Sequence, residues 1–382
     1  MSEEITPFHI EIADADLVDL RDRLRRTRWP EPATVADWSQ GVPLGYLQEF
    51  CRYWAEDYQW RVREQGLNRF PQYRTTIDGL DIHFLHVRSP EPNAFPVVLT
   101  HGWPGSVIEF MDVVGPLTDP VAHGGAAADA FHLVVPSLPG FGLSDRPTAT
   151  GWGRERIADA WATLMARLGY DRYGAQGGDW GASVSSQLGA RHPEHVAGVH
   201  LNLVIIPPDP DQKEFTAEEQ AKLAEMNAWR ATWRRWESGY STQQASRPQT
   251  LGYGLTDSPV GQCAWILEKF HAWSDCDGDP VAAFGADRIL DNISIYWLTA
   301  TATSSARLYW EGQPGLFNAV VHVPSGASIF PKELGVPYRP WVARSYTDLR
   351  YWHELDRGGH FAAFEQPELF AQEVRDFFRL VR

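Results

Sequence analysis

The chain has 382 residues, of which 43% are apolar, and this content is sufficient for a large buried core in a globular protein. Its net charge of −15 at pH 7 argues against nucleic acid or an anionic membrane as a partner, because both require a basic protein surface. The three cysteines, Cys51, Cys263 and Cys276, are far apart and lack CxxC spacing, so the sequence predicts neither a disulfide framework nor a zinc site. The sequence has neither a signal-like N-terminal segment nor an apolar run of about 20 residues, and we therefore expect a soluble, cytoplasmic protein.

An N-terminal helical arm is predicted before the main domain begins. Residues 13–28 place leucines at helical spacing with charged residues between them, and Trp29-Pro30 ends this pattern. A second helix is expected from about Leu44 to Gly66, and its aromatic face must pack against a body larger than itself. We therefore expect residues 1–70 to form an arm that is clamped over the rest of the chain.

Strand and helix patterns alternate from Tyr73 onwards. Asp78-Gly79 separates two strand-like stretches, which is a hairpin signal, and the apolar run from Phe95 to Thr100 is typical of a buried parallel strand. The other strands predicted in this part are His132 to Val135, a strand in the stretch from Arg172 to Gly181 that runs into a tight glycine turn, and His195 to Ile206. With helices between them, these strands predict an α/β fold in residues 71–208, with a mostly parallel sheet and flanking helices.

The character of the chain changes at about Asp209. Residues 209–292 show helical patterns without strand patterns, including Ala217 to Glu237 and Val260 to Trp273, with turn-forming residues from Ser246 to Gly254. We therefore predict a helical cap that is inserted between strands of the sheet.

The second part of the core is predicted in residues 293–382. A helix near Asp291 to Tyr309 comes before a last apolar strand, Trp341 to Tyr346. The glycines of Arg357-Gly358-Gly359-His360 predict a loop, and apolar residues at helical spacing close the chain as an amphipathic helix.

The residues around Asp179 are the strongest chemical signal in the sequence. A predicted strand runs into Gly177-Gly178-Asp179-Trp180-Gly181, which matches the pattern of a sharp strand-to-helix turn that presents a nucleophile. The amides at the start of the following helix would favour a negative charge at this position. A carboxylate held in this way predicts nucleophilic attack on carbon. Taken alone, an Asp after two glycines also fits a simple turn or a helix N-cap.

The parallel sheet, the turn carrying Asp179, the helical insertion and the late Gly-Gly-His loop together resemble the epoxide hydrolases of the α/β-hydrolase superfamily. The amphipathic DLRDRLRRTRWP and the aromatic helix after it resemble the N-terminal segment of the microsomal-type branch. Five further stretches look like signature blocks of that branch and follow its order: HGWPGS, GGDWGA, SPVGQCAWILEKF, IYWLTATATSSARLYWE and RGGHFAAFEQP. The resemblance covers almost the whole chain. It implies an α/β-hydrolase fold with a helical cap, and a soluble homologue that lacks the membrane anchor of some members.

The resemblance also implies a catalytic triad. Asp179 matches the nucleophile, and His360 matches the base that activates water. Glu333 matches the acid that orients the histidine, which is Asp or Glu in this family. The order of nucleophile, acid and base along the chain is that of the α/β hydrolases.

Further positions match groups that act on the epoxide and on the reaction intermediate. Tyr240 and Tyr309 match the two cap tyrosines that polarise the epoxide oxygen. The backbone N–H groups of Trp103 and Trp180 match the oxyanion hole. The implied partners are a small-molecule epoxide and water, with no metal and no organic cofactor, and a homo-oligomer is compatible with the sequence.

Alternative residues for these roles stay open at the level of sequence. The acids that lie nearer to the histidine along the chain are Glu354, Asp356 and Asp348, and the other candidate tyrosines are Tyr253, Tyr296 and Tyr351. His101 is conspicuous in HGWP but is interpreted as a structural residue of its loop. Asp145 is likewise interpreted as a residue that holds its loop together.

Two other functions compete with epoxide hydrolysis. A haloalkane-type hydrolytic dehalogenase uses the same aspartate, histidine and covalent ester, but a halide leaving group needs indole or amide donors, which Trp180 could supply, rather than an acid. The two tyrosine blocks and the N-terminal arm favour the epoxide hydrolase. A non-catalytic ligand-binding homologue would be expected to have lost a member of the triad, and none is lost here. The 17 tryptophans are consistent with a lipophilic or aryl epoxide, whose identity the sequence leaves open.

Overall fold

The computed structural model describes residues 4–312 and 319–382, and the strands among them form a nine-stranded sheet. The strands are β1 (Thr6–Phe8), β2 (Gln72–Ile77), β3 (Leu80–Val87), β4 (Phe95–Thr100), β5 (Phe131–Pro136), β6 (Tyr173–Gly177), β7 (Val196–Leu201), β8 (Ser325–Ile329) and β9 (Leu349–Glu354). Across the sheet they lie in the order β1-β2-β3-β5-β4-β6-β7-β8-β9. The predicted hairpin around Asp78-Gly79 and the predicted strand from Phe95 to Thr100 are confirmed.

The sheet changes from antiparallel to parallel pairing at β5. Strands β1, β2, β3 and β5 pair antiparallel, whereas β5, β4, β6, β7, β8 and β9 pair parallel. The central strand β4 is buried on both faces, because Val98 packs into one apolar core, and Val97 and Leu99 pack into another on the opposite side. The carboxyl ends of the parallel strands therefore meet at one edge of the sheet, where loops can converge.

The helices cover both faces of this sheet and extend beyond it. They are α1 (Asp14–Arg25), α2 (Leu44–Glu56), α3 (Trp60–Leu67), α4 (Met111–Thr118), α5 (Arg154–Arg167), α6 (Asp179–Arg191), α7 (Ala217–Thr232), α8 (Gly239–Ser246), α9 (Pro248–Asp257), α10 (Pro259–Trp273), α11 (Pro280–Phe284), α12 (Ala286–Leu298), α13 (Ala302–Glu311), α14 (Arg339–Ser345), α15 (Ala362–Glu365) and α16 (Pro367–Phe378). A π-helical turn, Trp233–Glu237, extends α7. In the part of the chain that is described, none of the helices combines the length and the apolar character that crossing a bilayer requires.

The predicted strand from Trp341 to Tyr346 is wrong. Most of these residues lie in α14, which has Pro340 in its first turn, where the fixed φ of proline suits a helix. The last strands are β8 and β9, which the sequence analysis missed. Strand β8 reads SGASI because α16 packs closely on it: a Cβ on Gly326 would lie 2.4 Å from Phe377 Cδ2. Small residues do not give the apolar pattern of a buried strand, so this strand could not be recognised from the sequence.

Two predictions inside the helical region also need correction. The turn-forming residues from Ser246 to Gly254 are mostly helical, because Pro248 begins α9 rather than breaking a helix. Gly252 lies in this helix because Thr303 approaches closely, so that a Cβ would lie 2.2 Å from Thr303 Oγ1. The single helix predicted near Asp291 to Tyr309 is divided between α12 and α13, which separate at Ala300 with a φ of 51°.

Helices α7 to α13 follow β7 and come before β8, and the described residues of this interval contain no strand. Helix α12 runs across the predicted cap boundary at residue 292. The boundaries 1–70, 71–208, 209–292 and 293–382 stay predictions.

The N-terminal segment contributes both to the sheet and to its helical cover. Strand β1 forms the edge of the sheet beside β2, while the helix predicted from Leu44 to Gly66 is interrupted between α2 and α3. Residues of α2, of α3 and of the turn between them contact α12 through polar side chains. Tyr58 Oη donates to Asp291 Oδ1 at 2.8 Å, and Arg63 Nη2 lies 2.5 Å from Asp291 Oδ2. Trp54 Nε1 donates to Ser294 Oγ at 3.0 Å.

The turn between β6 and α6 requires glycine for reasons of space. A Cβ on Gly177 would lie 2.1 Å from the carbonyl oxygen of Gly181, and a Cβ on Gly181 would lie 1.9 Å from the carbonyl oxygen of Thr100 in β4. The turn is thus packed backbone against backbone at the centre of the sheet.

Gly181→Ala is expected to lower the free energy of unfolding by about 3 kcal/mol, because the added methyl group meets a backbone carbonyl that cannot move freely. The matched control is Gly66→Ala in α3, where a Cβ has no atom within 4 Å and helix propensity should make the change neutral or stabilising by up to about 1 kcal/mol. Urea unfolding followed by circular dichroism measures both values. Equal stability of the two variants would contradict the packing argument.

Candidate active site

Asp179 lies at the carboxyl end of β6, on the turn into α6. Its φ of 48° is in the left-handed region, which costs a non-glycine residue about 1–3 kcal/mol. Backbone amides hold the carboxylate: Trp103 N–H donates to Oδ1 at 2.8 Å, and the amide of Trp180 also donates to the carboxylate. A Cβ on Gly102 would lie 2.2 Å from Oδ1, so glycine at this position leaves room for the carboxylate.

A histidine and a second carboxylate lie beside Asp179. His360 Nε2 is 3.6 Å from Asp179 Oδ2, and His360 Nδ1 is 2.6 Å from Glu333 Oε1. The loops that carry them follow β9 and β8, and the bridge between Lys332 and Gly359 joins these two loops. The side chains of Asp179, His360 and Glu333 are 14%, 3% and 7% exposed. The three groups therefore form one chain of contacts that is nearly withdrawn from water.

The charges of this group are coupled. Burial raises the pKa of Asp179, while His360 and the amides of Trp180 and Trp103 lower it, and the net direction is upward. Burial lowers the pKa of His360, but the charges of Glu333 and Asp179 outweigh this effect and raise that pKa to about 9. The imidazole is therefore protonated at neutral pH, and it lies between the two carboxyl groups that raise its pKa.

Tyr240 and Tyr309 lie in an aromatic cluster near the carboxylate. The rings of Trp103 and Tyr240 are stacked, with centroids 5.0 Å apart and an interplanar angle of 11°. Tyr309 packs edge-on against Tyr240, Trp103 and Trp180, at centroid distances of 5.7, 5.8 and 4.9 Å. Trp273 completes the cluster at 5.0 Å from Tyr240. These rings make the space above Asp179 apolar.

Both tyrosines keep their protons near neutral pH. Burial raises the pKa of each, and the charge of Asp179 adds to the effect. The Tyr240 hydroxyl lies nearby, but the buried Tyr309 hydroxyl makes no hydrogen bond to any of the described residues. A buried hydroxyl in this condition is free to donate to an acceptor atom of a ligand.

The structure brings all of the residues named for the site into one cluster, and their catalytic roles stay predictions. The alternative acids lie elsewhere: Glu354 accepts from Trp352, Asp356 pairs with Arg357, and Asp348 pairs with Arg350. The alternative tyrosines also have other surroundings: Tyr253 is 71% exposed, Tyr296 donates to the carbonyl of Gly105, and Tyr351 donates to Glu373.

His101 and Asp145 make hydrogen bonds to the backbone that hold their loops in place. The buried ring of His101 hydrogen-bonds the carbonyl of Gly102 through Nδ1 and accepts the amide of Leu138 through Nε2. Burial lowers the pKa of His101 to about 4, so it stays neutral. The backbone N–H of Asp145 donates to the carbonyl of Asp81, and its carboxylate accepts the amide of Asp81.

A further carboxyl group at the site was missed by the sequence analysis. Glu109 lines a cavity of about 10 Å³ together with Asp179, His360 and Asn202, which is roughly the room that one water molecule needs. Burial raises the pKa of Glu109 to about 8. A Cβ on Gly105 would lie 1.3 Å from Glu109 Oε1, so each glycine of HGWPGS makes room for a carboxyl group. The position of Glu109 at the site is visible only in the structure, because nothing in the sequence distinguishes it from the other acidic residues.

The sheet topology, the sharp turn at Asp179 after β6 and the His–Glu pair define an α/β hydrolase. Residues 96–246 match the family model described as alpha/beta hydrolase fold, and residues 5–110 match the model described as epoxide hydrolase N terminus.

Comparison with related proteins makes the assignment more specific. The chain is 55% identical over 380 residues to a protein of Stigmatella aurantiaca that is named as an epoxide hydrolase, and the match covers 99% of this chain and 86% of that protein. Epoxide hydrolase 1 of Sus scrofa is 36% identical over 407 residues, covering 99% of this chain and 89% of that protein. The crystal structure of juvenile hormone epoxide hydrolase from the silkworm Bombyx mori superposes with a TM-score of 0.91 at 32% identity, covering 100% and 95% of the two chains. The chain belongs to the epoxide hydrolase family.

Asp179→Asn is expected to lower the pKa of His360, because the substitution removes a negative charge that stabilises the imidazolium. Glu333→Gln should act in the same direction. NMR titration of histidine-labelled protein measures the pKa directly. Asp145→Asn, which removes an exposed carboxylate outside the site, should leave it unchanged. A His360 pKa that stays at its original value in both site variants would show that the three groups are not coupled.

Proposed function

We propose that the protein hydrolyses a lipophilic or aryl epoxide to a vicinal diol through a covalent ester on Asp179. The observation that carries this proposal is the position of the Asp179 carboxylate, which accepts the Trp103 amide at 2.8 Å and lies 3.6 Å from His360. A carboxylate fixed in this way, with two buried phenols nearby, suits nucleophilic displacement at a carbon atom.

Ring opening is the first step of the proposed reaction. The Asp179 carboxylate attacks a ring carbon, and the carbon–oxygen bond of the epoxide breaks. The leaving alkoxide is strongly basic, so it needs a proton donor on the side away from Asp179. Tyr240 and Tyr309 are suited to this role because burial keeps both hydroxyls protonated.

Ester formation changes the charge that His360 experiences. Asp179 loses its negative charge when it becomes an ester, and that charge is one of those that raise the pKa of His360. The pKa of His360 therefore falls after the first step, so that the imidazolium releases its proton to replace the one that the tyrosine gave up, and the neutral imidazole can act as a base in the second step. Glu333, at 2.6 Å from Nδ1, keeps the ring oriented and stabilises the cation that forms again.

Hydrolysis of the ester completes the cycle. His360 takes a proton from water as the water attacks the ester carbonyl. The acyl carbon–oxygen bond then breaks, and the diol leaves with an oxygen atom from Asp179 and with the proton of the newly formed carboxyl group. The N–H groups of Trp103 and Trp180 already donate to the carboxylate, so they are placed to stabilise the oxyanion. These steps, as proposed, use only the side chains and backbone amides named here together with water.

The surroundings of the site favour an apolar substrate. A groove of about 980 Å³ reaches Tyr240 between residues 38–42 and the predicted cap, and Trp38, Trp236 and Trp265 are among its lining residues. Indole rings bind apolar and aryl groups well. A haloalkane would meet the same rings, but its halide would not need the two phenols.

Tyr240→Phe and Tyr309→Phe are each expected to slow ring opening about 10²–10⁴-fold, because each removes a positioned proton donor. The double variant should be nearly inactive towards epoxides such as styrene oxide. Tyr253→Phe, at a tyrosine that is 71% exposed, is the matched control and should behave as the unmodified enzyme. Single-turnover kinetics measure the effect, and a panel of haloalkanes tests the competing reaction. Full epoxide activity in a folded double variant would mean that the proton comes from elsewhere.

His360→Gln is expected to form the ester and then to stall, because the nucleophile remains but the base is lost. Mass spectrometry should find protein plus epoxide, with the added mass mapped to Asp179. Asp179→Ala should give no adduct. In the unmodified enzyme, a single turnover in ¹⁸O-water should place the label first in the Asp179 carboxyl group. Label that enters the diol directly, with none in Asp179, would refute the covalent route.

A further inference from the structure

Lys269 is a buried lysine in α10, with only 5% of its surface exposed. Its Nζ lies 4.8 Å from the ring centroid of Tyr240 and 5.3 Å from that of Trp273. Lysine is rarely buried unless its charge is paired, so this position calls for an explanation. Both aromatic partners belong to the cluster above Asp179, and the ammonium is thereby brought to the edge of the site.

The ammonium has an ion-pair partner as well as its aromatic neighbours. Glu268 Oε2 lies 2.5 Å from Nζ, and the Glu268 side chain is 27% exposed. Glu237 is a second acid in the same groove, and Lys269 is among the groups that act on it. The cation is thus paired by an acid that reaches solvent, while it also contacts the rings near Asp179.

Tyr240 packs against two indole rings beside this cation. Its ring stacks on Trp103 at 5.0 Å and packs on Trp273 at 5.0 Å. Trp273 in turn lies edge-on to the His360 ring at 5.0 Å, and its carbonyl accepts the His360 amide at 2.9 Å. Lys269 therefore contacts a ring proposed to donate a proton, in surroundings where water screens charge only weakly.

We infer that Lys269 is a positioning residue that favours proton donation by Tyr240 during ring opening. The inference rests on the proposed function. As Asp179 forms its bond to the ring carbon, the epoxide carbon–oxygen bond breaks, and the released electron pair on oxygen takes the proton of Tyr240. Negative charge then develops on the Tyr240 ring, and the ammonium beside it stabilises that charge more strongly than it stabilises the neutral phenol.

Lys269→Met tests the inference by removing the charge while keeping a long unbranched side chain. Ester formation in single turnover should slow by roughly ten- to a hundredfold, as expected for one desolvated cation near a developing charge. Hydrolysis of the ester, once formed, should keep its rate. Lys269→Arg retains a cation and should recover most of the ring-opening rate. Glu268→Gln removes the acid but leaves the cation, and should open the ring at least as fast as the unmodified enzyme.

Two further readouts separate this role from simple packing. In the Tyr240→Phe background, Lys269→Met should add little further loss, because the hydroxyl through which the cation acts is absent. The defect should also shrink with trifluoromethyl oxirane relative to ethyl oxirane, because a more stable alkoxide needs less help from an acid. A purely structural lysine would give an undiminished defect in both comparisons, and that result would overturn the inference.

The controls distinguish failure of this inference from failure of the proposed function. If the unmodified enzyme forms no ester on Asp179, the proposed function fails. If it forms the ester and folded Lys269→Met opens the ring at the unmodified rate, only the role of Lys269 fails. Circular dichroism and thermal unfolding establish that the variants are folded. Lys269→Gln, which is uncharged but polar, replaces Lys269→Met in the same comparisons if the latter does not fold.

Discussion

The rest of the site depends on a carboxylate that is largely withdrawn from water at the centre of the sheet. Burial raises the pKa of Asp179, and the imidazole of His360 and two backbone amides oppose this effect by stabilising the charged form of the carboxylate. The amides come from the loop after β4 and from the start of α6, and the glycines of the turn allow these two backbone segments to approach each other closely. The strained φ of 48° is thus maintained by packing, and it directs the carboxylate out of the sheet.

The same constraint acts on a further acid beside the site. The carboxyl groups of Glu333, Asp179 and Glu109 all raise the pKa of His360, while burial disfavours the charged form of a carboxyl group. Asp179 and Glu333 are the ones in direct contact with His360, whereas burial raises the pKa of Glu109 to about 8 and keeps it neutral near pH 7. The loss of charge on Asp179 in the proposed ester would upset this balance, and the imidazole is the group that would respond. The two halves of the proposed reaction are therefore linked by electrostatics, and no movement of the loops is required.

The sequence predicted the features whose signal is local, and it missed those that depend on distant contacts. The glycine turn at Asp179 and the apolar run of β4 are visible because a strained turn and a buried strand each need a particular residue pattern. Strand β8 was missed because its residues are small to make room for α16, which packs against it from a distant part of the sequence. Glu109 and Lys269 were missed for the same reason: each is one acid or base among many, until folding brings it against His360 or Tyr240. The resemblance supplied the tyrosines, which spacing alone could not select.

The N-terminal segment is connected to the chemistry through α12. Tyr58 and Arg63 of the segment bind Asp291, and the next residue, Asn292, accepts the Ser106 hydroxyl at 2.7 Å and donates to the Pro104 carbonyl at 2.8 Å. These contacts fix the HGWPGS loop, whose Trp103 amide holds Asp179. Residues 5–110, which match one family model, therefore contain both the residues that contact α12 and the HGWPGS loop that α12 holds in place. The N-terminal segment is therefore linked through α12 to the loop whose Trp103 amide donates to the Asp179 carboxylate.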